Sequence, residues 1–328
     1  MSEDTTETAV DDPSSDGCKA RAVVPAHVTA FFAPARADDP AESGATGAGL
    51  ALTDGIETVV TPRDGRPTPE SNNESTPESN NESMSGSDAE SMSGSDAEST
   101  PSHRITLNGD PVSIDAVEGV LARLAVPAAT VRVTTHVPVA AGFGVSGGAA
   151  LGAALAAADC FDLARTRREL VAVAHAAEVA AGTGLGDVVA AARGGVPVRL
   201  AAGDPNHARL DRLPVRGRIE YVAFGELSTA TVLADDTQAV TTAGTAALDR
   251  LRATPTLEEL FVAAREFATA ADLFVPEVRD AVDAVQATGG DAAMAMLGRT
   301  VIARGTGLSD AGYDPSVTRI DPAGARLE

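Results

Sequence analysis

PVAAGFGVSGGAALGAALAAA, from Pro138 to Ala158, runs a loop of small residues directly into an alanine-rich helix. A helix that opens on glycines leaves its first backbone N–H groups unpaired and adds the positive end of its dipole. It also has no bulky side chain to keep a phosphate out. Small residues equally let helices and strands approach closely, so the segment alone permits either an anion cradle or a packing surface. No Lys-Ser or Lys-Thr follows the glycines, as a P-loop needs, and GFGVSG lacks the acidic partner of a dinucleotide fingerprint. The preceding VRVTTHVPV, Val131 to Val139, alternates β-branched residues and predicts a strand. The local order is strand, glycine loop, helix.

A second constellation is HAAEVAAGTGLGDVVAAARGG, His175 to Gly195. It reads as a helix bearing His175 and Glu178 that ends at Gly182, and then a glycine turn that delivers Asp187 to the start of another small-residue helix. From the residues alone, Asp187 is either a helix N-cap or a base, Glu178 a solvated or a functional carboxylate, and His175 a surface, core or site residue.

Taken with the late segment GGDAAMAMLG, Gly289 to Gly298, these stretches resemble the GHMP small-molecule kinases. PVAAGFGVSGGAA resembles their P-x-x-x-G-L-G-S-S-A-A phosphate loop, which implies ATP binding by Pro138, Gly142, Gly144, Ser146, Gly147 and Gly148. Ser146 falls at a serine that contacts the β-phosphate and the metal. GTGLGDVVAAARGG looks like the family's second glycine segment, with Asp187 at the catalytic carboxylate. Glu178 lies on the preceding helix like the family's magnesium-binding glutamate. Two departures are visible: Gly147 replaces the second serine of the pair, and the turn between Glu178 and Asp187 is short, without the proline and serine of mevalonate kinases.

The departures fit one branch, the archaeal pantoate kinases, with VPAHVTAFF at Val24 to Phe32, AHAAEV at Ala174 to Val179, GTGLGDV at Gly182 to Val188 and AMLG at Ala295 to Gly298. The resemblance covers roughly residues 20 to 310 apart from one insertion. It implies an α+β, two-lobed fold with a ribosomal S5 domain 2-like N-terminal lobe and a ferredoxin-like C-terminal lobe. It also implies ATP-dependent phosphorylation of pantoate to 4-phosphopantoate on the way to coenzyme A, with ATP and Mg2+, in a homodimer. A substrate carboxylate calls for Arg199 as a bidentate fork, with His175 and Ser43 as further substrate contacts. Arg199 reads equally as a surface strand residue, and Ser43 as a turn former. The competing functions are a GHMP kinase for another small acid or alcohol, such as mevalonate or shikimate, and a non-catalytic ATP-binding regulator on the same fold.

Composition sets the remaining limits. With 328 residues, 44% of them hydrophobic, the chain can bury a large core even without tryptophan. A net charge of −22 would repel nucleic acid and anionic membranes. No apolar run is long enough for a membrane span, and the acidic start MSEDTTETAVDDPSSDG is unlike a signal peptide, which implies a cytoplasmic protein. Lys19 is the sole lysine, and so acidic and lysine-poor a chain suggests a salt-rich cytosol, where screening relieves self-repulsion. Cys18 and Cys160 suggest neither a disulfide nor a metal site.

The expected organisation is a disordered acidic tail at residues 1–19, an ATP-binding lobe at 20–205 and a second lobe at 206–328. Residues 63–103 form a low-complexity insertion in which TPESNNES and MSGSDAES each occur twice in tandem. Such polar repeats cannot offset ordering entropy by burial, so disorder is expected. Their flanks, Gly49 to Pro62 with a turn at Asp54-Gly55 and Arg104 to Ile114 with a turn at Asn108-Gly109, suggest that the insertion tops a surface hairpin. Helices are expected at Ile114 to Ala125, Arg165 to Ala181, Thr237 to Arg252, Leu257 to Ala271 and Pro276 to Ala287. Strands are expected at Gly194 to Asp204, Arg218 to Phe224 and, last, Thr300 to Gly305.

Overall fold

A computed structural model describes residues 18–63, 103–225, 237–296 and 298–328. The acidic tail up to residue 17, the repeats between 64 and 102, and Leu297 of the AMLG segment lie outside the described residues.

Two long apolar strands, β1 (Ala20–Ala35) and β2 (Gly44–Pro62), pair antiparallel along almost their whole length and form the spine. The first half of β2 then pairs with β6 (Val196–Ala201), and its second half with β5 (Ala129–Thr135). β5 pairs in parallel with β3 (Arg104–Leu107), which turns into β4 (Asp110–Pro111), while β7 (Arg209–Leu213) continues from β6. Asn108 and Gly109 both have positive φ, at 52° and 96°, as a two-residue type I′ hairpin requires.

One face of this sheet carries α1 (Asp115–Arg123), α2 (Val145–Cys160) and α3 (Arg167–Ala181), with α4 (Asp187–Arg193) alongside. α2 is apolar all round and is buried over nearly its whole length, as such a helix must be. Its glycines explain how it fits. A Cβ on Gly148 would stand 2.7 Å from Ile56, and one on Gly152 would stand 2.4 Å from Thr58, so α2 lies directly on β2. α3 starts on a reciprocal capping box between Thr166 and Glu169 and stops at Gly182 in the left-handed region.

The second sheet is antiparallel in the order β11-β8-β10-β9, from β8 (Arg218–Ala223), β9 (Ala292–Ala295), β10 (Thr300–Arg304) and β11 (Ser316–Arg319). It packs against α6 (Leu257–Ala270), α7 (Pro276–Ala287) and the short α8 (Gly307–Asp310), while α5 (Thr237–Ala253) lies against α6 and against β1 and β2 of the first sheet. The chain then returns to the first sheet, where β12 (Arg326–Leu327) pairs with β1. The α+β class stands as expected. The first sheet extends past the anticipated division at residue 205, since β7 still belongs to it.

Two local expectations are corrected. Asp54-Gly55 makes no hairpin turn: β2 continues through it, and Thr53 and Asp54 bulge out of the pairing with β1, where Pro25 faces Gly55 and Ala26 faces Leu52. The insertion does not top a hairpin either, because β5 lies between β2 and β3. The last expected strand is followed by β11 and β12, two short strands held by partners far away in sequence.

The true topology still leaves the ends of the insertion close together. Pro62 pairs with Ala129 and Arg104 with Thr130, so the two ends stand two strand spacings apart, roughly 10 Å. After deletion of Thr68 to Ser99 the remaining residues 63–67 and 100–103 span that gap easily. The shorter connection should gain about 1 kcal/mol of closure entropy. The deletion is therefore expected to leave the melting temperature unchanged or slightly raised; a clear fall in a thermal melt would show that the repeats carry part of the fold.

Among the described residues no helix is long and apolar enough to cross a membrane.

Candidate functional site

The glycine loop between β5 and α2 is braced from two sides. His27 in β1 donates its backbone N–H to the Phe143 carbonyl at 3.0 Å, and the Thr300 hydroxyl donates to the Ala141 carbonyl at 2.8 Å. Gly298 lies so close that a Cβ on it would come within 2.1 Å of that same carbonyl oxygen. Gly298, at the end of the AMLG segment, thus buttresses the loop. Gly144, left-handed at φ 62°, caps α2 with no side chain, so the N–H groups of the first turn stay free for an anion. Gly148 is different: its N–H already bonds the Gly144 carbonyl, and its missing side chain makes room for Ile56.

Glu178, on the last turns of α3, projects beneath this first turn. It is 1% exposed, and neither carboxyl oxygen has a hydrogen-bond partner. A Cβ on Gly147 or on Gly184 would stand 2.5 Å from its Oε1. The glycine in place of the family's second serine therefore has a physical reason: a side chain there would strike the Glu178 carboxyl. Burial, and then the nearby negative charge of Asp187, push the Glu178 carboxyl up to about 8. On the open side, the Ser146 hydroxyl donates to the Thr183 hydroxyl at 3.1 Å.

Asp187 is the first residue of α4 and is partly buried. Its Oδ1 lies 2.7 Å from the His27 Nδ1 and accepts from the Thr29 hydroxyl at 3.2 Å. Burial alone would raise this carboxyl, but the hydrogen bond from His27, the Arg199 charge and the Thr29 hydroxyl together hold it below the usual range.

Arg199, 3% exposed on β6, has no hydrogen bond or ion pair within 4 Å among the described residues. Burial disfavours its charge, while Asp187 and Glu178 favour it. Gly186 makes its position possible: a Cβ there would fall 1.8 Å from an Arg199 guanidinium nitrogen. One buried cation and two carboxylates thus converge below the N-terminus of α2.

His175 and Ser43 form the adjoining wall. His175 is fully buried, and its Nε2 donates to the Ser43 carbonyl at 2.8 Å, which leaves Nδ1 as an acceptor without a partner. Burial lowers its pKa, so it stays neutral. The Ser43 hydroxyl is engaged twice by Ala37, accepting from its N–H and donating to its carbonyl, and so closes the 37–43 loop. Pro138 lies at the loop's entrance, after β5 ends at Thr135.

Sequence reasoning assigned no role to His27, Thr29, Thr183 or Gly184. For the first two a signal was present: they are two residues apart in the otherwise apolar stretch from Ala22 to Ala35, hence on one face, where an unaccompanied polar pair needs a partner.

The model of the GHMP kinases N terminal domain matches residues 113–195, the segment holding the glycine loop, Glu178 and Asp187. The pantoate kinase of Thermococcus kodakarensis is 31% identical, covering 86% of both chains, and that of Methanospirillum hungatei is 28% identical, covering 87% of this chain and 86% of its own. Among solved structures, a phosphotransferase related to the coenzyme A biosynthesis pathway superposes with a TM-score of 0.76 at 27% identity, over 94% of this chain and 98% of its own. The homoserine kinase of Cytophaga hutchinsonii, 14% identical with a TM-score of 0.63 over 99% and 100% of the two chains, shows the same two-lobed fold.

Proposed function

The chain belongs to the pantoate kinases of the GHMP kinase family, and from that premise we propose how its residues phosphorylate pantoate with ATP on the route to coenzyme A. The observation that carries the proposal is the convergence of Asp187, Glu178 and Arg199 beneath the uncapped first turn of α2.

Phosphoryl transfer needs an aligned nucleophile and neutralised phosphate oxygens more than it needs covalent chemistry. The free N–H groups at Val145, Ser146 and Gly147, with the loop from Pro138 through Gly142 and Gly144, cradle the triphosphate. Asp187, ionised by its surroundings, accepts the proton of the pantoate 4-hydroxyl as that oxygen bonds the γ-phosphorus. The bond to the ADP oxygen breaks, leaving ADP and 4-phosphopantoate. Arg199 pairs with the pantoate carboxylate. Its lack of any partner of its own supports this role, since a buried guanidinium calls for an anion. The buried Nδ1 of His175 receives a substrate hydroxyl, while Ser43 acts through the loop that its hydroxyl closes.

The two unpartnered oxygens of Glu178 and the hydroxyl of Ser146 are hard oxygen donors that fit Mg2+. When bound there, that ion would supply positive charge to the phosphate oxygens.

The ATP-binding lobe comprises residues 20–213 and the returning β12, and the second sheet with its helices forms the other lobe. A cytoplasmic, salt-rich setting is the companion proposal, supported by the net charge of −22 and the single lysine. The family resemblance adds a homodimer, which sedimentation of the purified protein tests.

ADP release with pantoate, mevalonate, shikimate and homoserine as acceptors tests the function. Turnover with pantoate alone is expected. Preference for another acceptor would move the chain to a different GHMP reaction, and ATP binding without turnover would make it a regulator.

Arg199→Ala is expected to raise the KM for pantoate by about 10- to 100-fold with the KM for ATP nearly unchanged, because a carboxylate clamp contributes mostly to ground-state binding. Arg199→Lys should fall between, keeping the charge but losing the fork. Equal damage to both KM values in steady-state kinetics would return Arg199 to a structural role.

A further inference from the structure

We propose that His27, assisted by Thr29, is the positioning residue that fixes the Asp187 carboxylate so that its Oδ2 faces the acceptor hydroxyl. The inference rests on the reading of Asp187 as the base.

Both donors converge on the same oxygen, with His27 Nδ1 at 2.7 Å and the Thr29 hydroxyl at 3.2 Å from Oδ1. Oδ2 accepts nothing among the described residues. The Asp187 side chain keeps 22% of its surface exposed, whereas that of His27 keeps 1%. The carboxylate therefore has a bound back and an open front. A lone carboxylate could turn about its Cβ–Cγ bond and present either oxygen, but two donors on one oxygen remove that freedom.

The tautomer of His27 follows from its other nitrogen. Nε2 is buried without a partner, and a Cβ on Gly49 would stand 2.6 Å from it, so β2 closes that side with no acceptor. The ring proton therefore sits on Nδ1 and is donated to Asp187.

The support behind the pair is rigid. His27 donates its backbone N–H to the Phe143 carbonyl of the glycine loop, and the Thr29 carbonyl accepts from the Met296 N–H of the AMLG turn. One strand thus ties the base to the phosphate loop and to the second sheet. The charged groups that act on Asp187 are Glu178 and Arg199, from α3 and β6, and neither makes a hydrogen bond to it. The work of orientation falls to β1.

The test is steady-state kinetics across pH on His27→Leu, His27→Asn and Thr29→Val, beside Asp187→Ala. His27→Leu is expected to lower kcat by about 10- to 100-fold with both KM values within about threefold, as loss of orientation rather than binding does. Because a donor that favours the anion is gone, the acid limb of its kcat profile should move to higher pH. His27→Asn, whose amide N–H starts from the same position, should recover most of kcat and return the limb. Thr29→Val should lose a few-fold and serves as the second reading if His27→Leu fails to fold. The proposal is overturned if His27→Leu and Thr29→Val turn over at the parent rate, or if Asn is as poor as Leu with the acid limb unmoved. An Asp187→Ala enzyme that keeps its turnover would instead remove the base on which the inference rests.

Discussion

Replacing Asp187 by alanine is expected to lower kcat by about two to four orders of magnitude while ATP still binds, the usual consequence of removing a positioned acid–base group. The glycine loop and the first turn of α2 owe their shape to Gly144, to His27 through its backbone, and to Thr300, none of which needs the Asp187 carboxyl. Nucleotide affinity measured by calorimetry should therefore survive. Asp187→Asn sharpens the result, because the amide keeps an oxygen for His27 and Thr29 yet cannot take a proton. It should be as inactive as alanine and closer to the parent in melting temperature. A merely structural role for the carboxyl, as acceptor for His27 and Thr29, predicts a different pattern, with asparagine nearly neutral and alanine costing about 1 kcal/mol of stability and little activity.

The surroundings of the two carboxylates explain why one of them can act as a base at neutral pH. Asp187 is held low by His27, Arg199 and Thr29 in spite of its burial, whereas Glu178, buried beside that charge with only the Val188 N–H and the Arg199 charge to favour its anion, is pushed up to about 8. Environments that drive two neighbouring acids apart assign them different tasks. Here the low one is ionised and faces the loop, and the high one waits for positive charge.

How much of this was legible in the sequence depended on whether the information was local. The opening of α2 on glycine, the end of α3 at Gly182, the Asn108-Gly109 turn and the delivery of Asp187 to a helix start all follow from residues next to one another. Asp54-Gly55 carries equally good turn chemistry, yet β2 passes through it. A bulge at Thr53 and Asp54 takes up the local preference, and pairing with β1 holds the strand on either side of it. The wedging of β5 between β2 and β3 is a choice among distant partners that no local pattern encodes. Ser43 shows the same limit at the level of one hydroxyl: its place in a glycine turn was visible, but not that Ala37 occupies both its donor and its acceptor. Gly147 read as a departure from the family pattern until the Glu178 carboxyl was found where a side chain would go.

Glu178→Gln is expected to abolish most turnover and, in the absence of divalent metal, to remove a pH dependence of stability that the parent protein shows. Glu178 has both oxygens buried and unpartnered and a carboxyl raised from 4.5 to about 8 by burial and by Asp187. Between those two values the folded protein holds a proton that the unfolded chain releases. The slope of stability against pH is then negative: this contribution is fully present below about 4.5 and is lost as pH rises toward 8. Glutamine does not titrate, so the slope from this site should vanish in the variant, whatever its amide costs at any single pH. Mg2+ gives the complementary reading. A cation held by Glu178 must displace that proton, so the rise in melting temperature on adding Mg2+ should be larger at pH 8 than at pH 6 in the parent. It should be small at both in Glu178→Gln, and kcat should fall by about 100-fold or more. Thermal melts at several pH values, with chelator and with Mg2+, separate these effects. An equal Mg2+ shift in the two proteins would place the ion elsewhere, and parallel stability profiles without metal would show that the buried carboxyl is satisfied by some other group.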